Sequence, residues 1–504
     1  MSLIRSSLLV GLGSIASRIL GFARDMLFAQ ALGAGPVADA FLTAFRLPNL
    51  VRRIVGEGGL NPALVPHLSR LDPEDSAAFA GDVLSLFALA LLALTALVET
   101  GAGLVALLLA PGLSGDEGSW AQVTLYTRLS FPIVLGVTLS SVAAAILNLR
   151  GRYGATAFAP LVVNAVLIAT LVAMDSGFAL PFATKAAWLA GASSAAGLLQ
   201  LLIMLAALRG GGRRLVRFRR PRWSPALKSL LLAGFPALVA NGAVQLFVLA
   251  GTIAASFWPS GISWLYYAER VMQLPLGLMA ALGSSILLPE LARQHHAGAT
   301  KAVVTAQHRA LEAALLLAVP AATALTILAF PITTVLFERG AFLPADAEGT
   351  ALVLTSLSLG LPFATAGKVL SQTLFARGAL RRTLAAALLG ILVTLVSAVL
   401  LAQGFGPVGI ALGISLGCLS HAAAMVWLLR RIGLWHPDHR FLGRIGRIAL
   451  SSAVMGLGLW AAQGTVTPTD GLSLAAFCCG GLGLYALSAW LTGAVTRDDV
   501  RAFR

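Results

Sequence analysis

Between Ser14 and Glu57 an otherwise apolar stretch carries five arginines and three carboxylates: Arg18, Arg24, Arg46, Arg52 and Arg53 with Asp25, Asp39 and Glu57. Arginine's planar fork matches phosphate and carboxylate, and it stays charged in a partly dry site. On a helix, Asp39, Arg46 and Arg53 are seven residues apart and share a face, with Glu57 one turn past Arg53. Arg18 and Asp25 share a face in the same way, with Arg24 beside it. Farther on, Glu269 and Arg270 close the run Trp264-Leu265-Tyr266-Tyr267-Ala268, and Lys368 stands alone among apolar residues. Such a group of cations between two halves of a protein could seat a pyrophosphate. The other reading is a set of internal ion pairs without a ligand: Arg24 with Asp25 or Asp39, Arg53 with Glu57, Arg270 with Glu269. Basic residues outnumber acids in this set, which leaves positive charge to be compensated. Arg46 and Arg128 read as structural or snorkelling residues.

The elements that must position these groups are membrane helices. The 504-residue chain is 58% hydrophobic and only 11% charged, against roughly 25% charged residues in soluble proteins. Apolar runs of about 20 residues recur from end to end, the pattern of a polytopic all-α membrane protein rather than a barrel. About fourteen spans are expected, at roughly 6–33, 36–60, 79–110, 120–149, 156–174, 183–208, 225–257, 263–291, 303–336, 347–376, 383–402, 407–430, 443–463 and 472–494. Pro48, Pro132, Pro236, Pro275 and Pro362 give places for kinks. A charge near the bilayer centre costs at least about 2.5 kcal/mol, so the charges on these spans must face partners or a wet cavity.

The net charge of +15 would suggest nucleic acid in a soluble domain, but its distribution argues otherwise. With the N-terminus in the cytoplasm, one side collects Arg150, Arg152, the run Arg209 to Arg222, Arg293, Lys301, Arg309, Arg377, Arg381, Arg382, Arg430, Arg431 and Arg440. The other side holds only Lys185 and Arg339 among several acids, a positive-inside asymmetry with both termini cytoplasmic. An internal repeat is visible as well. Leu47-Pro48, Val65-Pro66, Phe131-Pro132 and Arg150-Gly151 have counterparts at Leu274-Pro275, Leu288-Pro289, Leu361-Pro362 and Arg377-Gly378, at offsets of 223 to 230. The pattern suggests two six-helix halves of the same orientation.

Other constellations carry less. The cysteines Cys418, Cys478 and Cys479 have no CxxC spacing. His436-Pro437-Asp438-His439 lacks a third ligand nearby, and His295-His296 reads as a solvated pair. Asp116-Glu117 could be the acidic dyad of a membrane glycosyltransferase acting on a polyprenyl-linked sugar, but no catalytic domain stands behind it. The many glycines suit close helix packing. No nucleotide-binding, serine-hydrolase or zincin motif is present, so no enzyme is expected.

Ser17-Arg18-Ile19-Leu20-Gly21-Phe22-Ala23-Arg24-Asp25, Asp39-Ala40-Phe41, Leu47-Pro48-Asn49-Leu50-Val51-Arg52-Arg53 and Glu57-Gly58 together resemble the MurJ (MviN) family of lipid II flippases. So do Asn61 to Pro66, Leu147-Asn148 with Gly151-Arg152-Tyr153, Tyr267-Ala268-Glu269-Arg270 with Gln273-Leu274-Pro275, and Phe337 to Phe342. The resemblance implies membership of the multidrug/oligosaccharidyl-lipid/polysaccharide exporter superfamily: two pseudo-symmetric six-helix lobes in a V around a central cationic cavity. It implies an N-terminal lobe with its basic linker over 1–222, a second lobe over 223–440, and two extra helices over 441–504 that form a groove for a lipid tail. The implied activity is flipping undecaprenyl-pyrophosphate-linked peptidoglycan precursor, lipid II, by alternating access in the bacterial inner membrane. Arg18, Arg24, Arg52 and Arg270 take the roles of substrate-binding arginines. Asp25, Asp39, Arg53, Glu57, Glu269 and Lys368 take pairing or gating roles. Lipid II, membrane lipids and wall-synthesis or division proteins are the implied partners; no cofactor is implied. A sodium site is doubtful, because the span 225–257 offers Asn241 and Gln245 but no acid, and the eleventh offers only Thr394. Export of another polyprenyl-linked saccharide or of a drug remains the alternative within the transporter class.

Overall fold

The computed structural model describes residues 3–52, 64–65, 67–175, 180–209, 215–217, 224–277, 300–376 and 379–495. Arg53, Glu57, His295-His296 and the repeat pairs at Pro66, Leu288-Pro289 and Arg377-Gly378 lie outside the described residues, and the side chain of Asn241 is outside them too. Every regular element among the described residues is a helix. The first half holds α1 (Leu3–Leu32), α2 (Pro36–Val51), α3 (Pro73–Thr100), α4 (Ala102–Leu109), α5 (Glu117–Ser130), α6 (Ile133–Leu149), α7 (Tyr153–Asp175) and α8 (Phe182–Arg209). After α9 (Pro225–Ala255) and α10 (261–277) come α11 (Thr300–Ile327), α12 (Ala329–Phe337), α13 (Pro344–Ser358), α14 (Leu361–Ala376), α15 (Leu380–Phe405) and α16 (Pro407–Arg431). The chain closes with α17 (His439–Gln463) and α18 (Gly471–Thr492).

Nine described helices are long and apolar enough to cross a membrane, or ten if the bent pair α13–α14 is one span. The protein is therefore multi-pass, although fewer helices meet that criterion than the fourteen spans expected. The four others correspond to α1 and α2, which carry the charges, and to α9 and α10, which adjoin residues outside the described set.

Two compact units divide the chain inside α9, Met1–Gln245 and Leu246–Arg504, whereas the sequence reading ends the first lobe at residue 222. Within each unit the third and fourth spans are broken at corresponding points. In the first, α3 gives way to α4 at Gly101 and α5 to α6 at Phe131-Pro132; in the second, α11 gives way to α12 at Leu328 and α13 to α14 at Leu359-Gly360, just before Pro362. Proline supplies no N–H and crowds the preceding turn, which accounts for the breaks at Pro132, ahead of Pro331 and ahead of Pro362. The α13–α14 bend is 42°. By contrast α2 continues as helix through Pro48. The packing repeats as well: α6 on α8 and α7 on α8 in the first unit, α14 on α16 and α15 on α16 in the second.

Glycine makes the tightest of these seams. Gly409, Gly413 and Gly417 recur every four residues on α16, and a Cβ at any of them would lie within 2.8 Å of α15 backbone. That small-residue stripe brings two spans into backbone contact, where dispersion and weak polar contacts replace the hydrophobic effect that lipid removes. Thr394 sits in this seam and donates its hydroxyl to Gly390 O of its own helix.

The last two helices pack on α11. Tyr485 Oη donates to Leu316 O at 2.7 Å, and Gln463 Nε2 to Ile327 O at 3.2 Å. Arg444 bridges three helices, bonding Glu312 Oε2 at 2.8 Å and the carbonyl of Ala494, just past the end of α18, at 3.1 Å. A cation there also meets the negative end of the α18 dipole.

Candidate functional site

The charged groups of the first unit are set by the α1–α2 hairpin and by α7. Gly33, at a φ of 67°, and Gly35, at 151°, turn the chain between α1 and α2 in conformations that side chains with a Cβ resist. The hairpin is closed by Phe28, Phe41 and Phe45, whose ring centroids are 5.3 to 6.0 Å apart and which are fully buried. Arg24 lies against this cluster, 5.3 Å from the Phe28 centroid and 5.6 Å from that of Phe45.

Arg24 is only 7% exposed, and Asp25 beside it 1%. The guanidinium grips Asp25 Oδ1 with two donors, Nη2 at 2.7 Å and Nε at 3.1 Å. Its Nη1 donates to Asn164 Oδ1 on α7 at 2.9 Å. Arginine has five N–H donors; these contacts take three, leaving two for another acceptor. A cation held by one carboxylate and one neutral amide, between aromatic faces and shielded from water, is preorganised for an oxyanion. Low surrounding dielectric strengthens each such bond.

The remaining first-unit residues are placed differently. Asp39, 1% exposed, lies in the first turn of α2, where the helix dipole favours a negative charge. Arg52 is half-buried just past α2 and closes it, its backbone N–H reaching Asn49 O and Pro48 O. Arg18 is exposed, on a face of α1 shared with exposed Leu12, Ile15 and Ile19. Arg46 is half-buried, and Arg128 is exposed with Nε on Glu99 O.

In the second unit Arg270 is organised by its own helix, α10. Nη2 donates to Tyr266 Oη at 3.0 Å, one turn earlier, and Nη1 to Gln273 Oε1 at 3.1 Å, one turn later. Gln273 Nε2 in turn donates to Glu269 Oε1 at 2.7 Å, so Glu269 and Arg270 are linked through this amide. The Tyr266 ring lies 5.0 Å from Arg270 Cζ. Beneath them Tyr267 is buried between Phe337 and Phe342, at centroid distances of 5.2 and 5.3 Å. That contact gives the Phe337 to Phe342 stretch a structural role, since Gly340, at a φ of 60°, makes the turn that brings the two rings together. Trp264 Nε1 donates to Asp346 Oδ1 at 3.3 Å, which joins α10 to the start of α13. Lys368 is exposed on α14, while its neighbour Gly367 packs on His421.

Two of the weaker constellations have local duties. Asp116 accepts from Ser119 N at 2.8 Å and caps α5; its hydrogen bonds with Ser119 hold its carboxyl below the usual carboxylate range. Asp438 caps α17 through Phe441 N at 2.8 Å. Sequence reasoning missed Asn164, Phe28 and Phe45 around Arg24, and the Arg444–Glu312 pair. Gln273 and Tyr266 had a visible signal, their spacing of three and four from Arg270; Asn164 had only its polarity in an apolar span.

The model of the family described as lipid II flippase MurJ matches residues 28–474. A probable lipid II flippase MurJ of Rhizobium meliloti (strain 1021) is 35% identical over 469 residues, covering 92% of this chain and 87% of the relative. A lipid II flippase MurJ of Burkholderia cenocepacia is 29% identical, with 95% of each chain covered. Among solved structures, lipid II flippase MurJ in an inward closed conformation aligns over 96% of this chain and 98% of its own, with a TM-score of 0.79 and 22% identity. An inward-facing multidrug transporter of the MATE family and MOP superfamily aligns over 82% and 94%, with a TM-score of 0.66 and 14% identity. These two likenesses are likenesses of fold.

Proposed function

The chain belongs to the lipid II flippase MurJ family, and from that premise we propose that it carries lipid II from the inner to the outer leaflet of the bacterial cytoplasmic membrane for wall synthesis. It is a transporter and not an enzyme. The observation that carries the substrate assignment is Arg24: a buried guanidinium, fixed by Asp25 and Asn164, with two donors left for an oxyanion. A pyrophosphate supplies such oxygens, and a fixed cation replaces the water it sheds on leaving the aqueous phase. Arg18 and Arg52 in the first unit and Arg270 in the second serve the same headgroup during its passage. Asp25, Asp39, Glu57 and Glu269 balance those cations, and together with Arg53 and Lys368 they gate the movement.

The cycle is alternating access. A ligand drives such an exchange only if it binds the two states differently, and neutralising arginines brought together in one state provides that difference. The polyprenyl tail stays in lipid, against α17 and α18, whose Leu442, Leu457, Leu472, Leu482 and Leu491 are exposed. The arginine-rich connections face the cytoplasm, and both termini lie there. Sodium coupling is not part of the proposal: 225–257 carries no acid, and Thr394 spends its hydroxyl on Gly390 O. Partners in wall synthesis and division would meet the protein at the membrane surface.

Purified protein in sealed liposomes, assayed for lipid II appearing in the outer leaflet, tests the reading. Movement of lipid II, faster than that of a polyprenyl-pyrophosphate carrying an unrelated glycan, is expected. Equal movement of both would favour the general exporter, and movement of neither would overturn the proposal.

A further inference from the structure

We infer that Asn164 is a positioning residue for lipid II transport, acting through Arg24; the inference rests on the flippase reading above. Asn164 lies in α7, a span apolar enough to cross a membrane, and is nearly fully buried. A primary amide in such a span is costly unless its donors and acceptor find partners. Both ends do. Oδ1 accepts from Arg24 Nη1 at 2.9 Å, and Nδ2 donates to Ser17 O on α1 at 3.1 Å. The opposite amide orientation would set donor against donor at Arg24 and oxygen against oxygen at Ser17, so the two partners fix the group.

The seam between α1 and α7 brings this amide to its place. A Cβ on Gly13 would overlap Ala157 O, so the two helices touch backbone to backbone at that level. Ser17 and Gly21 follow Gly13 at intervals of four on α1, and Asn164 follows Ala157 by seven on α7, so all face the same seam. Arg24 sits at its far end. The Gly21 position shows ordinary contact with the amide, 3.5 Å from a Cβ to Nδ2, so the close approach at Gly13 sets the spacing.

The neutrality of the amide is the chemical point. Asp25 already pairs with Arg24, and a second carboxylate in place of Asn164 would add negative charge beside the guanidinium and weaken its pull on a pyrophosphate. An amide holds the guanidinium's direction without subtracting from its charge. Directional holding acts on how well the headgroup is captured, more than on how fast the loaded protein turns over.

The test uses full-length protein in sealed liposomes, with lipid II titrated for wild type, Asn164→Leu and Asn164→Asp. Leucine keeps the volume and removes both hydrogen bonds; aspartate keeps an acceptor for Arg24 but adds charge. An increase of about tenfold in apparent KM is expected for Asn164→Leu, from loss of one hydrogen bond to a charged group. A larger increase is expected for Asn164→Asp, with the maximal rate of both changed less than their KM. Gly21→Ala, on the same seam but outside the network, should match wild type. Thermal unfolding in detergent is read in parallel. Unchanged KM in both variants, or a fall in maximal rate that simply follows lost stability, would overturn the positioning role while wild-type transport kept the flippase reading. Absence of transport by wild type would instead remove the flippase reading, and this inference with it.

Discussion

Arg24 and Arg270 are both arginines on membrane helices, but they are held in opposite ways. Arg24 is fixed across helices, by Asn164 on α7 and by Phe45 on α2, with Asp25 the local partner. Arg270 takes its hydrogen bonds to Tyr266 and Gln273 from one helix, a turn before and a turn after it. The first geometry exists only while α1, α2 and α7 stay packed. The second is built along α10 itself. A transporter that must hold an anion and also move gains from both: one cation whose direction is set across helices, and one with hydrogen-bond partners on its own helix.

The comparison is broken most severely by Arg24→Ala. It leaves Asp25 buried without that countercharge, a change that costs about 3–5 kcal/mol, and transport should be lost. Removing both partners, in Arg24→Ala with Asp25→Ala, should recover much of the thermal stability in detergent while transport stays absent; recovery of transport would make the pair purely structural. Next in size is Arg444→Ala, which breaks the Glu312 bridge and the contact to Ala494 O. Faster proteolysis within α17 and α18, with the Arg24 cluster intact, is the expected result. Tyr266→Phe should do less, because Gln273 still holds Arg270; a loss of about 1 kcal/mol in headgroup affinity, read as a several-fold rise in apparent KM, would show that the single-helix arrangement shares its load. The smallest effect belongs to Asp116. Its folded-state carboxyl titrates below its ordinary value, so its stabilisation is present above that ordinary value and fades as pH falls through the lowered one. Wild type and Asp116→Ala should therefore differ slightly in thermal unfolding at neutral pH and converge in acid.

The same contrast explains what could be read from the sequence. Arg270's partners are three and four residues away, a distance at which helical periodicity speaks directly. Asn164 is 140 residues from Arg24, and nothing local marks it as the partner. Pro132 and Pro362 mark the broken fourth and tenth spans, and Pro331 stands three residues past the break at Leu328 as Pro362 does past Leu359; only the break at Gly101 has no proline beside it. Lys368, alone among apolar residues, stands out in the sequence, and it is exposed on α14, as a charge facing a wet cavity would be. Asp39 stands out by falling in a seven-residue series with Arg46 and Arg53; its position in the first turn of α2 adds a reason for its charge that spacing does not supply.

The central claim is that a buried, preorganised arginine captures the headgroup. It is tested most directly by measuring outer-leaflet appearance of lipid II in sealed liposomes for wild type and Arg24→Lys, with equal amounts of folded protein. Lysine keeps the charge but loses the fork that grips Asp25 and reaches Asn164. The account predicts transport by wild type and a severe loss in Arg24→Lys. Equal transport by the two would show that charge alone suffices, and the arrangement of Asp25 and Asn164 around Arg24 would then serve only the fold.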